Sequence, residues 1–121
     1  MSDEIEEYLD NIFSEHRVVL FMNGAVQSPS DAESMMGRDV IAALKIDFLP
    51  VDLSRDPRLL AAVQKRSGWE KVAQLFIDGQ FICDSYNLTP ALKSKQFDKL
   101  LKSKKIPFDE AVADQFRAMN S

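Results

Sequence analysis

Five consecutive apolar residues, Val18-Val19-Leu20-Phe21-Met22, are followed by the turn-forming segment Asn23-Gly24-Ala25-Val26-Gln27-Ser28-Pro29-Ser30. A helical pattern then puts Met36, Val40, Ile41 and Leu44 on one face. A strand with five apolar residues in a row has no polar face to give to water, so it belongs inside a sheet covered on both sides. A buried strand, a loop and an amphipathic helix in that order open an α/β unit. In such units ligands and catalytic groups gather where the loop meets the helix N-terminus. Here that corner reads Ser30-Asp31-Ala32-Glu33-Ser34, with no Cys, no His and no glycine-rich phosphate cradle. Ser30 with Glu33 three residues later fits a capping box, which by itself accounts for the corner.

The other segments supply what this strand needs on either side. Ile5, Leu9, Ile12 and Phe13 recur at helical spacing among acids, which predicts a helix over Asp3–Ser14 capped by Ser2 or Asp3. His16, the only histidine, reads as a surface or boundary residue, since a general base needs positioned partners. Ile46, Phe48 and Val51 anchor a strand over Ile46–Leu53, and Pro50 removes a ladder donor and sends it to a sheet edge. With the strand Arg17–Met22 and the helix starting at Ser30 or Asp31, it makes a right-handed parallel βαβ unit. Asp56 as N-cap, Pro57 at the first position, the Leu59-Leu60-Val63 stripe and Gly68 frame a third helix, with Lys65 and Arg66 suited to its dipole. Val72–Ile77 and Gln80–Ile82 flank Asp78-Gly79, a strong hairpin signal because both central residues take positive φ. Thr89-Pro90 is expected to start the next helix, and Phe97, Leu100 and Leu101 continue helical burial. Phe108, Val112, Phe116 and Met119 form an amphipathic tail helix capped by Asp109, docked on its own domain or on a partner.

A chain of 121 residues with 45% apolar content reads as one domain. Residues 1–105 carry the core and 106–121 a C-terminal helical extension of it. The net charge of −4 argues against general nucleic-acid binding. Lys99, Lys102, Lys104 and Lys105 form a cationic patch, read as a solvated helix face, with a binding surface as the alternative. A single cysteine excludes an intramolecular disulfide and a Cys-only zinc site. The acidic start, Met1-Ser2-Asp3-Glu4, reads as neither a secretory signal nor a transit peptide. No apolar run approaches the ~18–20 residues that span a bilayer. A cytoplasmic protein without membrane contact is expected.

The order helix, β, α, β, α, ββ hairpin, α is the thioredoxin-type arrangement, a four-stranded mixed sheet with helices on both faces. Val18-Val19-Leu20-Phe21-Met22-Asn23-Gly24, Pro29, Ser34, Val51-Asp52-Leu53, Asp56-Pro57, Trp69 and Gln74-Leu75-Phe76-Ile77-Asp78-Gly79-Gln80-Phe81-Ile82 resemble a monothiol glutaredoxin, nearly without gaps from Glu7 to Leu101. The resemblance implies glutathione binding, a [2Fe–2S] cluster shared between two subunits, a role in cluster delivery and BolA-type partners. It also implies where those functions would sit. The family's Cys-Gly-Phe-Ser motif falls on Asp31-Ala32-Glu33-Ser34, so Asp31 takes the thiol position and Ser34 is kept. The glutathione-binding lysine falls on Asn23. The Trp-Pro-Thr-Ile/Val-Pro segment falls on Trp69-Glu70-Lys71-Val72-Ala73, so Ala73 takes the cis-proline position. A trans bond is expected there, because a non-proline cis bond costs about 2.5–4 kcal/mol. The Gly-Gly-Cys-Asp segment falls on Cys83-Asp84-Ser85-Tyr86, or, with a small gap, Cys83-Asp84 is the Cys-Asp pair itself.

Two readings follow. In the first, the chain is a glutaredoxin-like pseudo-enzyme, a non-catalytic binding or regulatory module with Asn23, Val26, Asp31, Trp69 and Val72 on its contact face. Asn23, Lys71, Val72, Ala73, Asp84, Ser85 and Tyr86 are then a vestigial glutathione site. No resident cofactor or metal is expected, glutathione or a [2Fe–2S] cluster entering only through the resemblance. In the second, Cys83 serves as a displaced thiol for glutathione-dependent exchange, or a cluster is held by non-standard ligands. Cys83 reads otherwise as a small buried apolar residue, since a reactive thiol needs an electropositive surround and Asp84 opposes one. A protein partner is expected, and the oligomeric state stays open.

Overall fold

In the computed structural model, which describes residues 4–120, Val18–Met22 forms an interior strand, β1, with all five side chains buried. It follows the helix α1 (Glu4–Glu15). The short strands β2 (Gly24–Ala25) and β3 (Ser28–Pro29) pair with each other before α2 (Ala32–Ala43). The edge strand β4 (Leu49–Asp52), a 3₁₀ turn over Leu53–Arg55 and α3 (Pro57–Ser67) come next. The hairpin β5 (Gln74–Ile77) and β6 (Gln80–Asp84) leads to α4 (Ser85–Lys93), α5 (Gln96–Ser103) and α6 (Glu110–Met119). The sheet order is β4-β1-β5-β6, with β1 parallel to β4 and antiparallel to β5. This is the thioredoxin fold that the element order implies.

Strand alternation divides the interior into two cores. Val19 and Phe21 face α1 and α3, packing with Leu9, Ile12, Leu59, Val63 and Phe76. Phe21 and Phe76 meet edge to face at 5.2 Å, and Phe13 stacks on Phe76 at 5.2 Å. Val18, Leu20 and Met22 face the other helices and pack with Ile41, Leu88, Leu92, Phe97, Leu101 and Ala113. Arg66 ties α3 to α1 through Glu6 and Asp10, at 2.9 and 2.8 Å.

Local signals locate several elements. Pro50 lies in the edge strand, and Asp56 caps α3 while Gly68 ends it at φ 67°. Asp78 and Gly79 turn the hairpin at φ 51° and 77°, with Arg17 braced bidentately on Asp78. His16 is exposed, as expected of a surface residue. The expected caps Ser2 and Asp3 lie outside the described residues. Among the described residues, no helix is long and apolar enough to cross a membrane.

Four expectations are corrected. The capping box at Ser30 does not form, because Asp31 is the N-cap of α2 and accepts the Ser34 N–H. Thr89-Pro90 does not begin a helix. Asp84, at the end of β6, caps α4 earlier by accepting the Asn87 N–H, and Pro90 sits inside α4. The Val72–Ala73 bond is cis, within a segment where Ala73 is fully buried and its carbonyl accepts the Ser85 N–H. Met119, taken as part of the apolar stripe, is 84% exposed, because α6 turns Phe116, Val112 and Ala113 inward and ends there. The tail helix docks on its own domain, with Arg117 bound to Asp98 and to the Leu92 carbonyl.

Gly24 is the tightest point of the β2–β3 turn. At φ 88°, a Cβ there would lie 2.6 Å from the Ser30 nitrogen and 2.8 Å from the Ser28 carbonyl. Gly24→Ala is expected to destabilise the protein by about 3 kcal/mol, from backbone strain and the clash together. Chemical denaturation of the pair measures it, and a loss within error of zero would contradict this packing.

Candidate functional site

β1, β4 and β6 end, and β5 begins, at the same end of the sheet, where α2 and α4 start. Asp31 caps α2 with both carboxylate oxygens in use. Oδ1 accepts the Ser34 N–H at 2.8 Å and Oδ2 accepts the Asn23 side-chain amide at 2.8 Å. The Ser34 oxygen, fully buried, accepts the Asn23 backbone N–H at 2.8 Å and closes the knot. Partial burial pushes the Asp31 pKa up, but the Ser34 hydroxyl, the Asn23 amide and the Ser34 N–H outweigh it and hold the carboxylate below its ordinary range. Beside this knot, Asp52 accepts the Gly24 N–H at 2.9 Å and fixes the turn to the edge strand.

The second half of the site hangs on Asp84, which is 2% exposed. Its Oδ1 accepts the backbone and side-chain N–H groups of Asn87, and its Oδ2 accepts Trp69 Nε1 at 2.6 Å. The ring of Trp69 stays 42% exposed while its only polar atom is satisfied from within. Gln74, fully buried, spends Nε2 on the Trp69 and Lys71 carbonyls and holds the 69–71 loop against the sheet. The buried atoms Gln74 Oε1 and Ser85 Oγ have no hydrogen-bond partner. Ser85 lies where α4 meets α2, its Cβ 3.5 Å from where a Cβ on Gly37 would stand.

Tyr86 joins the two halves. Its hydroxyl donates to Glu33 of α2, and Lys71 Nζ stands 5.0 Å from its ring centroid. The Glu33 carboxylate raises the Tyr86 pKa by accepting that hydrogen. The fold therefore brings Asn23, Asp31 and Ser34 together, and places Lys71, Val72, Ala73, Asp84, Ser85 and Tyr86 along a neighbouring wall. Sequence reasoning assigned Glu33 only to a cap and gave Gln74 and Asn87 no role. The partner of Glu33 lies 53 positions away, that of Asn87 depends on where α4 starts, and Gln74 reaches backbone carbonyls of the 69–71 loop that no residue type announces.

Cys83 stands apart from the Asp31 knot. It lies half-buried in β6 opposite Leu75 and packs against the core beneath α2 and α4. Burial, and secondarily the Asp84 charge, push its thiol from 9.0 up to about 12. A thiol at that value has roughly a thousandfold less thiolate at neutral pH than one at 9.0. Activation of a thiol calls for a shift in the opposite direction. Among the described residues there is also no group of three or more His, Cys, Asp or Glu side chains able to hold a metal ion.

Known proteins resemble this chain in sequence and fold. The glutaredoxin family model matches residues 18–82. The chain is 28% identical over 102 residues to the chloroplastic monothiol glutaredoxin-S7 of Oryza sativa, covering 84% of this chain and 61% of that protein. It is 31% identical over 86 residues to glutaredoxin 4 of Escherichia coli, covering 69% and 74%. Against monothiol glutaredoxin-S17 of Arabidopsis thaliana, at 24% identity, it covers 24% of that protein. The chain thus spans less than two thirds of the rice and Arabidopsis relatives. Among solved structures, a monomeric truncated mutant of Trypanosoma brucei 1-C-Grx1 superposes with a TM-score of 0.77 at 30% identity, covering 89% of this chain and 97% of that one. Reduced apo GrxS14 of poplar gives 0.74 at 26%, covering 82% and 91%.

Two outcomes are expected from this geometry. Asp31→Ala should cost about 1 kcal/mol at neutral pH, as loss of a helix N-cap does. The native pKa of Asp31 is depressed, so its contribution is present above the unfolded value of about 3.9 and is lost as pH falls through the native value. Urea titrations should show the gap between wild type and variant closing in acid, and a gap that widens there would contradict the assignment. Cys83 in the native protein should alkylate roughly a thousandfold more slowly than in the urea-unfolded chain. Comparable rates would contradict the upward shift, and a faster native rate would show an activated thiol.

Proposed function

The chain belongs to the glutaredoxin family, and on that premise we propose that it is a member without the redox thiol, acting as a non-catalytic binding or regulatory module. The observation that carries this reading is Asp31, seated as the N-cap of α2 with both oxygens bonded. Thiol–disulfide exchange needs a thiolate that attacks one sulfur and expels the other. A carboxylate forms no mixed disulfide. The α2 N-terminus still favours negative charge, so Asp31 keeps the electrostatics of a thiolate without its nucleophilicity. The sole sulfur nucleophile, Cys83, has its thiol pushed up to about 12 and lies in β6. A cluster held by Asp31 would exchange a soft thiolate ligand for a hard carboxylate, which iron–sulfur clusters disfavour.

On the binding side, the reading rests on rings whose polar ends are tied down from within. Trp69 is held by Asp84 and Tyr86 by Glu33, and both rings remain exposed. Rigid, exposed aromatic residues are the usual anchors of protein interfaces. By family, a BolA-type protein is the first partner to try.

The test is turnover with a glutathione mixed disulfide, reading the wild type beside Cys83→Ser. Both are expected to run at the uncatalysed rate. Wild-type turnover that disappears in Cys83→Ser would overturn the proposal and restore the displaced thiol.

A further inference from the structure

The stretch from Lys93 to Lys105 carries six lysines against one aspartate, a formal charge of +5, while the remaining residues carry nine cations against eighteen anions, or −9. The one acid does not offset the lysines at the surface. Asp98 is buried, and both its oxygens are held by Arg117 at 2.9 and 3.1 Å. Lys102 pairs with Glu110 at 2.6 Å, and Lys104 stands 3.9 Å from Asp78. Lys93, Lys95, Lys99 and Lys105 are exposed and enter no ion pair among the described residues.

Part of this charge has a local explanation. Lys93 and Lys102 lie in the last turns of α4 and α5, and Lys105 just beyond, where the helix dipole favours cations. Lys95, two residues past the end of α4 with its N–H on the Leu92 carbonyl, stands to α4 as Lys105 stands to α5, so only Lys99 has no such account. Lys95 is the N-cap of α5, at φ 66° and with no side-chain cap hydrogen bond, at the end where the dipole opposes a positive charge. Lys95, Lys99 and Lys102 also follow one another at spacings of four and three, placing like charges side by side on one helix face, which weakens the helix. Like charges crowded on one face, relieved within the fold only where Glu110 meets Lys102 and at the α4 end beside Lys95, mark a surface that answers to something outside it.

We propose that the lysine face of α5 docks a short acidic segment of a partner protein. Charge complementarity fixes the chemistry of that partner. Phe97, the aromatic side chain of α5, is buried, so the face has no ring on which a base could stack. Its cations are lysines, not the planar arginine forks that read phosphate bidentately. The strongly acidic remainder repels a polyanion or anionic membrane that extends past a Debye length of ~8 Å, whereas a short acidic segment meets the lysines alone. The face belongs to α5 and not to the α2 corner, so it stands whether or not that corner retains thiol chemistry.

The full chain, labelled with nitrogen-15, is titrated with a short polyglutamate peptide at low and at physiological salt. Shifts are expected to concentrate on α5 and its flanks, with affinity falling roughly tenfold or more as salt rises. Lys95→Glu with Lys99→Glu should abolish them, and the neutral pair Lys95→Gln with Lys99→Gln serves in its place if the reversed pair does not fold. Lys65→Glu, an exposed lysine of α3 on the opposite side of the sheet, should leave affinity within about twofold. Absence of shifts, shifts that survive in the double variant, or tighter binding to a short DNA duplex or to phosphatidylserine vesicles would overturn the proposal.

Discussion

β1 buries Val18, Leu20 and Met22 on one face and Val19 and Phe21 on the other, so the molecule must supply a hydrophobic layer to each. α1 and α3 form one layer, and α2, α4, α5 and α6 the other. Because the strand is interior, its backbone also needs a neighbour on each side, which β4 and β5 provide. Once those layers are in place, the turn after Met22 can only emerge at the end of the sheet where α2 and α4 begin. The site is therefore a consequence of how β1 is covered. Gly24 lets the chain turn there without touching Ser30, and Asp52 locks the turn to the edge strand.

At that corner the fold still presents a helix N-terminus to a negative group, but the group is a carboxylate already saturated with donors. Asn23, Asp31 and Ser34 satisfy one another, and the resulting knot contributes to stability in the way an N-cap does. The same economy governs the other wall, where Asp84 serves Trp69 and Asn87 at once and Gln74 ties down the 69–71 loop. Such side chains, each engaged with its neighbours, are the means by which a surface holds a fixed shape. Cys83, by contrast, lies half-buried in β6, where burial pushes its thiol up to about 12.

The fold was legible wherever the deciding interaction is local. Asp78-Gly79, Asp56-Pro57 with Gly68, and the five-residue apolar strand each announce their conformation within a few positions, and each adopts it. Thr89-Pro90 misled because two cap signals competed. Asp84 lies at the strand end and takes the role first, leaving Pro90 to be carried inside the helix. That Asp31 stands at the start of α2 was legible from the helical pattern, although its hydrogen-bond knot was not. The link from Glu33 to Tyr86 crosses 53 positions and the one from Trp69 to Asp84 crosses 15, so neither is a pattern that local spacing could betray.

Charge is distributed over the molecule as unevenly as hydrophobicity. α1 carries acids in its first turn, while exposed lysines gather on α5 and at its two ends, and the sheet lies between these helices. Arg117 turns the single acid of the basic stretch inward, so that the interaction anchoring the tail helix also takes that acid off the α5 face, where Glu110 of the same helix meets Lys102. Docking of α6 and the positive potential of α5 are thereby physically coupled. A chain whose net charge is only −4 presents two surfaces of opposite sign, and the net value conceals the feature most informative about what can approach it.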